Sequence, residues 1–109
     1  MTPPTLTQRQ RAQARAAATQ ARRDRAQVRR ALRNGDLGIE QLLASDIPSH
    51  RRMRVREVLE ALPSVGPVRR SQIMSVVGIA PTRRIQGLSP RQCADLVDVV
   101  RQRVRERAR

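Results

Sequence analysis

The stretch VREVLEALPSVGPVRRSQIMSVVGIAPTRRIQGLSPRQCADL, residues 55–96, decides the fold class of this chain. Its punctuation is helical throughout. Val55, Val58, Leu59 and Leu62 step by three and four and form one apolar stripe. With Ser49 as a possible cap, the same pattern reads as one helix over 49–62, and Pro63 stops it. Pro67 suits the first position of the next helix. Val68, Ile73, Val76 and Val77 are its expected buried positions, and Gly78 its left-handed end. After the connection 79–88, Ser89-Pro90-Arg91-Gln92 reads as a capping box that opens a last helix. Cys93, Leu96, Val97, Val100 and Val104 form that helix's stripe.

Upstream, Thr7 can cap a long helix running to about Arg33, with Asn34-Gly35 as its stop. Its apolar face, Ala14, Ala18, Ala21, Val28 and Leu32, is thin and is interrupted by Arg25. This segment carries nine arginines against one acid, Asp24. It reads as a solvated arm or as a helix that tracks phosphates. The second reading is preferred, because so lopsided a face repels itself unless something neutralises it. Residues 36–47 predict a short helix bearing Ile39, Leu42 and Leu43, ended by Pro48. No strand pattern of useful length appears. The expected fold is all-α. A basic N-terminal helix or arm (1–35) precedes a compact helical domain (36–104) whose helical module spans about 55–100. The basic tail RQRVRERAR closes the chain, with 105–109 outside the domain, and is expected to fray.

Composition narrows the function. The 109 residues carry a formal net charge of +14, and all 23 basic residues are arginine. A GC-rich genome would also produce an all-arginine chain, and the two readings are compatible. A charge this positive calls for a polyanion. Arginine grips phosphate oxygens with a planar fork of donors. A membrane partner is not expected, since no apolar run approaches the roughly 18 residues a span needs. No secretory signal precedes the first helix. The chain has no Phe, Tyr or Trp, so it cannot build the aromatic platforms on which single strands stack. That favours a duplex backbone as partner.

Catalysis is not expected. One Cys and one His exclude a Cys/His metal cluster and an internal disulfide, which fits a reducing cytoplasm. Cys93 reads as a small core residue and His50 as a solvated or capping group. Asp95 and Asp98 share a helix face, most simply as compensation for nearby arginines. No metal, cofactor or catalytic set is proposed.

The binding reading has two foci. A turn at Val65-Gly66 before a helix start exposes backbone N–H groups where the helix dipole adds partial positive charge. Pro67 has no N–H, so Gly66 and Val68 are the better amide donors. Arg69 and Arg70, one turn in, are placed to bracket the same phosphates. The second focus is the basic connection around Thr82, Arg83 and Arg84.

These elements also resemble a known family. VLEALP (58–63), VGxV (65–68), the pair Ile73-Met74, GIAPTRR (78–84) and the spacing from Gly87-Leu88 to Gln92 are similar to the helix–two-turns–helix module. They are most similar to the actinobacterial integration host factor family of small nucleoid proteins. The likeness covers about half the chain closely. A looser likeness extends to the small-subunit ribosomal protein and DNA-repair glycosylases that share the module.

The family implies a long first helix followed by a compact helical domain. It implies that amides of the turn, here Val65, Gly66 and Val68, meet DNA phosphates, and that the loop Thr82, Arg83, Arg84 grips DNA. It also implies double-stranded DNA binding with little sequence preference, bending or compaction, and help to phage integrase. Three positions depart from the family pattern: Pro67 and Gln86 where basic residues are usual, and Arg70 where a small residue is usual. The chain is expected to be a nucleoid-bound monomer. The rival readings are a structured-RNA or ribosome-associated binder, a glycosylase or lyase relative using a terminal amine, and a basic adaptor for an acidic protein.

Overall fold

The computed structural model describes residues 7–108, with side-chain surroundings for residues 7–103. Among these residues six helices run in order: α1 (Gln8–Asn34), α2 (Ile39–Leu43), α3 (Pro48–Arg51), α4 (Val55–Ala61), α5 (Pro67–Val77) and α6 (Pro90–Ala108). A single 3₁₀ turn (Ile85–Gly87) lies between α5 and α6. No strand forms among the described residues, so the fold is all-α.

Alanine, arginine and glutamine are strong helix formers, and α1 is made largely of them. Thr7 and Gln10 close a reciprocal capping box at its start, and Gly35, at φ 80°, closes its end. A helix of 27 residues rises about 40 Å. Its two halves differ. Residues 8–18 are all exposed, Ala14 and Ala18 among them, while Val28 and Leu32 are buried against the rest of the molecule. Ala14 and Ala18 therefore cover no core, because the domain ends short of them, and Ala21 is half-buried. The molecule's long dimension is 64 Å against 28 and 25 Å across.

The core consists of aliphatic and methionine side chains from every helix except α3. Leu42, Leu59 and Leu96 are completely buried, and Leu32, Met53, Val55, Val58, Ile73 and Ile85 nearly so. Each such side chain contributes about 1.5–3 kcal/mol relative to exposure. Among the described residues, ion pairs cross between helices on the surface at Arg29–Glu57 (3.8 Å), Arg70–Glu60 and Arg101–Glu40.

The helix expected over 49–62 is two helices. Pro48 is the first residue of α3 rather than only the stop of α2, Ile47 is its cap, and Ser49 lies inside it. The chain then leaves helical geometry at Arg52–Arg54. Met53 drives into the core, and Arg54 pairs antiparallel with Arg84. Val55 N–H donates to the Arg83 carbonyl (3.0 Å) and Ile85 N–H to the Met53 carbonyl (2.9 Å). Two long-range backbone bonds and a buried methionine thus displace a locally plausible helix turn. Leu62 falls just past α4 and is half-buried.

The inward face of α5 also differs from the expected one. Ile73 and Met74 are buried and Val77 is half-buried, but Val68 and Val76 are 70% and 75% exposed. Val68 sits at the helix start, beyond the edge of the core, and Val76, about 60° round the helix from Ile73, falls outside the inward face of Ile73, Met74 and Val77. Ile79 and Ile85, both in the connection, supply the burial instead.

The α5–α6 junction is tied by one side chain. Gln92 N–H donates to Ser89 Oγ (3.1 Å), and Ser89 N–H donates back to Gln92 Oε1 (3.0 Å). Gln92 Nε2 also donates to the Gly78 carbonyl (3.1 Å). The cap of α6 thereby satisfies a carbonyl at the end of α5, where Gly78 sits at φ 80°. The helix α6 continues through Ala108. Cys93 is half-buried at the edge of its stripe; the side chain of Val104 lies outside the described residues.

Candidate nucleic-acid interface

The turn before α5 begins with Val65 N–H donating to the Leu62 carbonyl (3.3 Å). Pro63 occupies its second position and Ser64, at φ 71°, its third, the pattern of a type II turn. A non-glycine residue in this left-handed region costs roughly 1–2 kcal/mol. The turn is held in place by Val65, half-buried against the core, and by Leu62. It delivers Gly66 in an extended conformation as the cap of α5, whose first internal bond runs from Arg70 N–H to the Gly66 carbonyl (2.9 Å).

This geometry sorts the expected donors. Val65 spends its amide inside the turn, which removes it from the set of free N–H groups. The amides of Gly66, Val68 and Arg69 have no acceptor among the described residues. Arg69, expected to act through its side chain, therefore adds a backbone donor as well. Its guanidinium is exposed and has no partner among the described residues. Arg70 points the other way. Its guanidinium pairs with the Glu60 carboxylate on α4, its Nη2 lies 3.4 Å from Ser71 Oγ, and its side chain is only 26% exposed.

The second focus sits at the other end of α4. Arg83 N–H donates to the Ala80 carbonyl (3.0 Å), and the Arg83 carbonyl accepts from Val55, so the loop backbone is fastened to the start of α4. Thr82, Arg83 and Arg84 all expose their side chains. Arg84 Nη1 donates to the Arg52 carbonyl (3.3 Å), which restrains its guanidinium. Arg83 lies over Gly87, where a Cβ would stand 2.9 Å from Arg83 Cδ. Any side chain at position 87 would displace the arginine. Gln86 is exposed beside them.

The structure thus brings Thr82, Arg83 and Arg84 together at one end of α4, and Gly66, Val68 and Arg69 together at the other. Sequence reasoning missed Arg56 on α4. It lines a concavity between these two sets, together with Arg70, Ser71, Ser75 and Pro81. Nothing local distinguishes Arg56 from the other surface arginines. Only the packing of α4 against α5 reveals it.

Elsewhere, His50 Nδ1 lies 2.8 Å from Ser45 Oγ, which accepts from Ile47 N–H (3.2 Å); the imidazole helps shape the α2–α3 turn. Among the described residues no group of three or more His, Cys, Asp or Glu side chains is placed to hold a metal. No described helix is long and apolar enough to cross a membrane.

Comparison with known proteins gives a consistent answer. The model of the S13-like H2TH domain matches residues 32–99. The match begins at the last core residue of α1 and leaves the exposed half of that helix outside. The chain is 42% identical over 98 residues to an integration host factor of Mycolicibacterium smegmatis, covering 87% of this chain and 92% of the relative. It is 43% identical to that of Mycobacterium tuberculosis over the same shares, and 39% identical to that of Streptomyces coelicolor over 85% and 89%. A solved structure of sIHF bound to an 8-bp palindromic DNA superposes with a TM-score of 0.73 at 34% identity. It covers 80% of this chain and 97% of that one. With the domain matched across the whole module and identities near two-fifths along most of both lengths, the chain belongs to the integration host factor family of H2TH-domain proteins.

Proposed function

We propose that this protein binds double-stranded DNA through its phosphates, with little sequence preference, and does no covalent chemistry. The observation that carries the reading is the pair of foci at the two ends of α4. One offers three free amides at a helix start beside Arg69. The other offers Thr82, Arg83 and Arg84 on a loop whose backbone is fastened to α4. A helix of seven residues rises about 10 Å, so one duplex surface reaches both. The DNA-bound state of the structurally similar sIHF supports the same partner. Contacts to phosphate fix register without reading bases.

In this reading the protein acts as a monomer in the nucleoid of the cytoplasm. Arginines or the exposed Pro81, entering a groove, would bend the duplex and favour deformable sequences. The exposed arginines of α1 form a second basic surface, able to compact DNA by meeting another duplex or to help a phage integrase bring its sites together.

The test is affinity for a short random-sequence duplex across a salt series, for wild type and for Arg83→Ala/Arg84→Ala. Each neutralised phosphate contributes about −0.9 to the slope of log K against log salt. The double variant is expected to lose roughly 1–2 units of slope and to bind all sequences more weakly. An unchanged slope would remove the loop from the interface. Equal competition by hairpin RNA would move the reading to structured RNA.

A further inference from the structure

Between the two foci lies the concavity lined by Arg56 of α4, by Arg70, Ser71 and Ser75 of α5, and by Pro81. Its floor, Met74 and Ile79, is buried and apolar. Its walls are cationic and hydroxylic. Arg56 is exposed and has no ion-pair partner among the described residues. Arg70 is turned into the same concavity by Glu60, which engages its Nη1. A guanidinium has five N–H donors, so the bonds to Glu60 and Ser71 leave others unspent. Ser71 Oγ accepts from Arg70 Nη2 (3.4 Å), which leaves its own O–H to donate. Ser75 makes no side-chain hydrogen bond among the described residues.

We propose that this pocket is a third phosphate seat, taking a phosphodiester of the strand that runs from the start of α5 to the loop 82–84. This deepens the DNA-binding reading and rests on it. Successive phosphates on a strand advance about 3.4 Å along the duplex axis. The two foci are separated by roughly the length of α4, so phosphates between them face this part of the surface. Arg56 supplies the cation, Ser71 and Ser75 supply hydroxyl donors, and Arg70, held by Glu60, positions Ser71 and adds a donor. An apolar floor ringed by such donors excludes water from a single oxyanion and strengthens its bonds.

The experiment uses the full chain and a duplex in which single phosphates are replaced, one at a time, by neutral methylphosphonate. Loss of any arginine weakens binding to a polyanion through the long-range field, so the diagnostic is position-specific coupling. The expected result is one linkage whose neutralisation weakens wild type several-fold but leaves Arg56→Gln and Ser75→Ala little further affected. That linkage differs from the one coupled to Arg83→Ala/Arg84→Ala. Arg56→Gln should also lose about 0.9 of salt slope. Arg56 is exposed, so circular dichroism should show an intact helical fold.

If Arg56→Gln and Ser75→Ala respond to every linkage as wild type does, while the 82–84 double variant loses its own coupling, the third seat is overturned and the two-ended clamp stands. If the double variant shows no coupling either, the clamp reading fails. If inorganic phosphate cancels the effect of Arg56→Gln without coupling to any linkage, the pocket holds free phosphate and the duplex assignment falls.

Discussion

The exposed half of α1 and the loop 82–84 carry the same chemical group and hold it in opposite ways. Arg9, Arg11 and Arg15 project from the half of α1 that is exposed throughout, residues 8–18. Arg83 and Arg84 project from a loop whose backbone is bonded to Met53 and Val55, and Arg84 is further restrained by the Arg52 carbonyl. Both regions add positive potential. Only the second places a guanidinium at a defined point. An arginine side chain carries about 2 kcal/mol of rotamer entropy, and a restrained one loses less of it on binding. Under the proposed function the contrast separates two tasks: the arm would attract a polyanion from any direction, whereas the module would set the geometry of its path.

The sharpest way to break the contrast is to remove the scaffold. Leu59 is completely buried, and Leu59→Ala is expected to cost about 2–5 kcal/mol, measured by denaturant or thermal unfolding. At temperatures where that variant is unfolded, only the nonspecific, salt-labile attraction of a charged chain should remain.

The next test compares the regions directly. Arg83→Ala/Arg84→Ala should weaken duplex binding by about 10- to 100-fold at fixed salt. Arg9→Ala/Arg11→Ala should cost less than a quarter of that in free energy, because unanchored arginines substitute for one another. Equal losses would erase the distinction between attraction and placement.

A smaller effect is expected at the junction that orients the module. Gln92→Ala removes the reciprocal cap of α6 and the bond to Gly78, and should cost about 1 kcal/mol of stability. Its loss of DNA affinity should track its loss of fold.

The smallest change sharpens the picture at the start of α5. Gly66 has φ −87°, and a Cβ there would meet nothing within 4 Å. Gly66→Ala should therefore leave the stability of the free protein within about 1 kcal/mol of wild type, since the lower entropy of the unfolded chain is offset by alanine's poor fit as a helix N-cap. If duplex affinity falls all the same, the added methyl collides with the ligand, and the amide turn lies against DNA. If affinity holds, the turn stands back from the duplex.

Much of the architecture was legible along the chain. Thr7, Asn34-Gly35, Pro67 with Gly78, and Ser89 with Gln92 are local signals, and each bounds a helix as expected. The aliphatic stripe through Val55, Val58 and Leu59 and the one through Leu96 and Val100 face the core as their spacing requires. The continuous helix over 49–62 does not exist, because Arg54 is claimed by Arg84, thirty residues later. Periodicity sees neighbours within a turn or two and cannot register such a partner. The exposure of Val68 and Val76 has the same origin: which side of α5 is inward depends on where α4 and α6 lie.

By itself the sequence determined the charge, the absence of aromatic rings and the boundaries of α1, α5 and the start of α6, since these follow from side-chain chemistry and short-range capping. It also marked both arginine-bearing segments. The tertiary structure alone decided which donors remain free. It bonds the Val65 amide into a turn, turns Arg70 toward Glu60, leaves the Arg69 amide open, and sets Arg56 between the two foci. The reason is physical. A donor is available only if nothing else in the folded chain accepts from it, and that acceptor can come from any distance along the sequence.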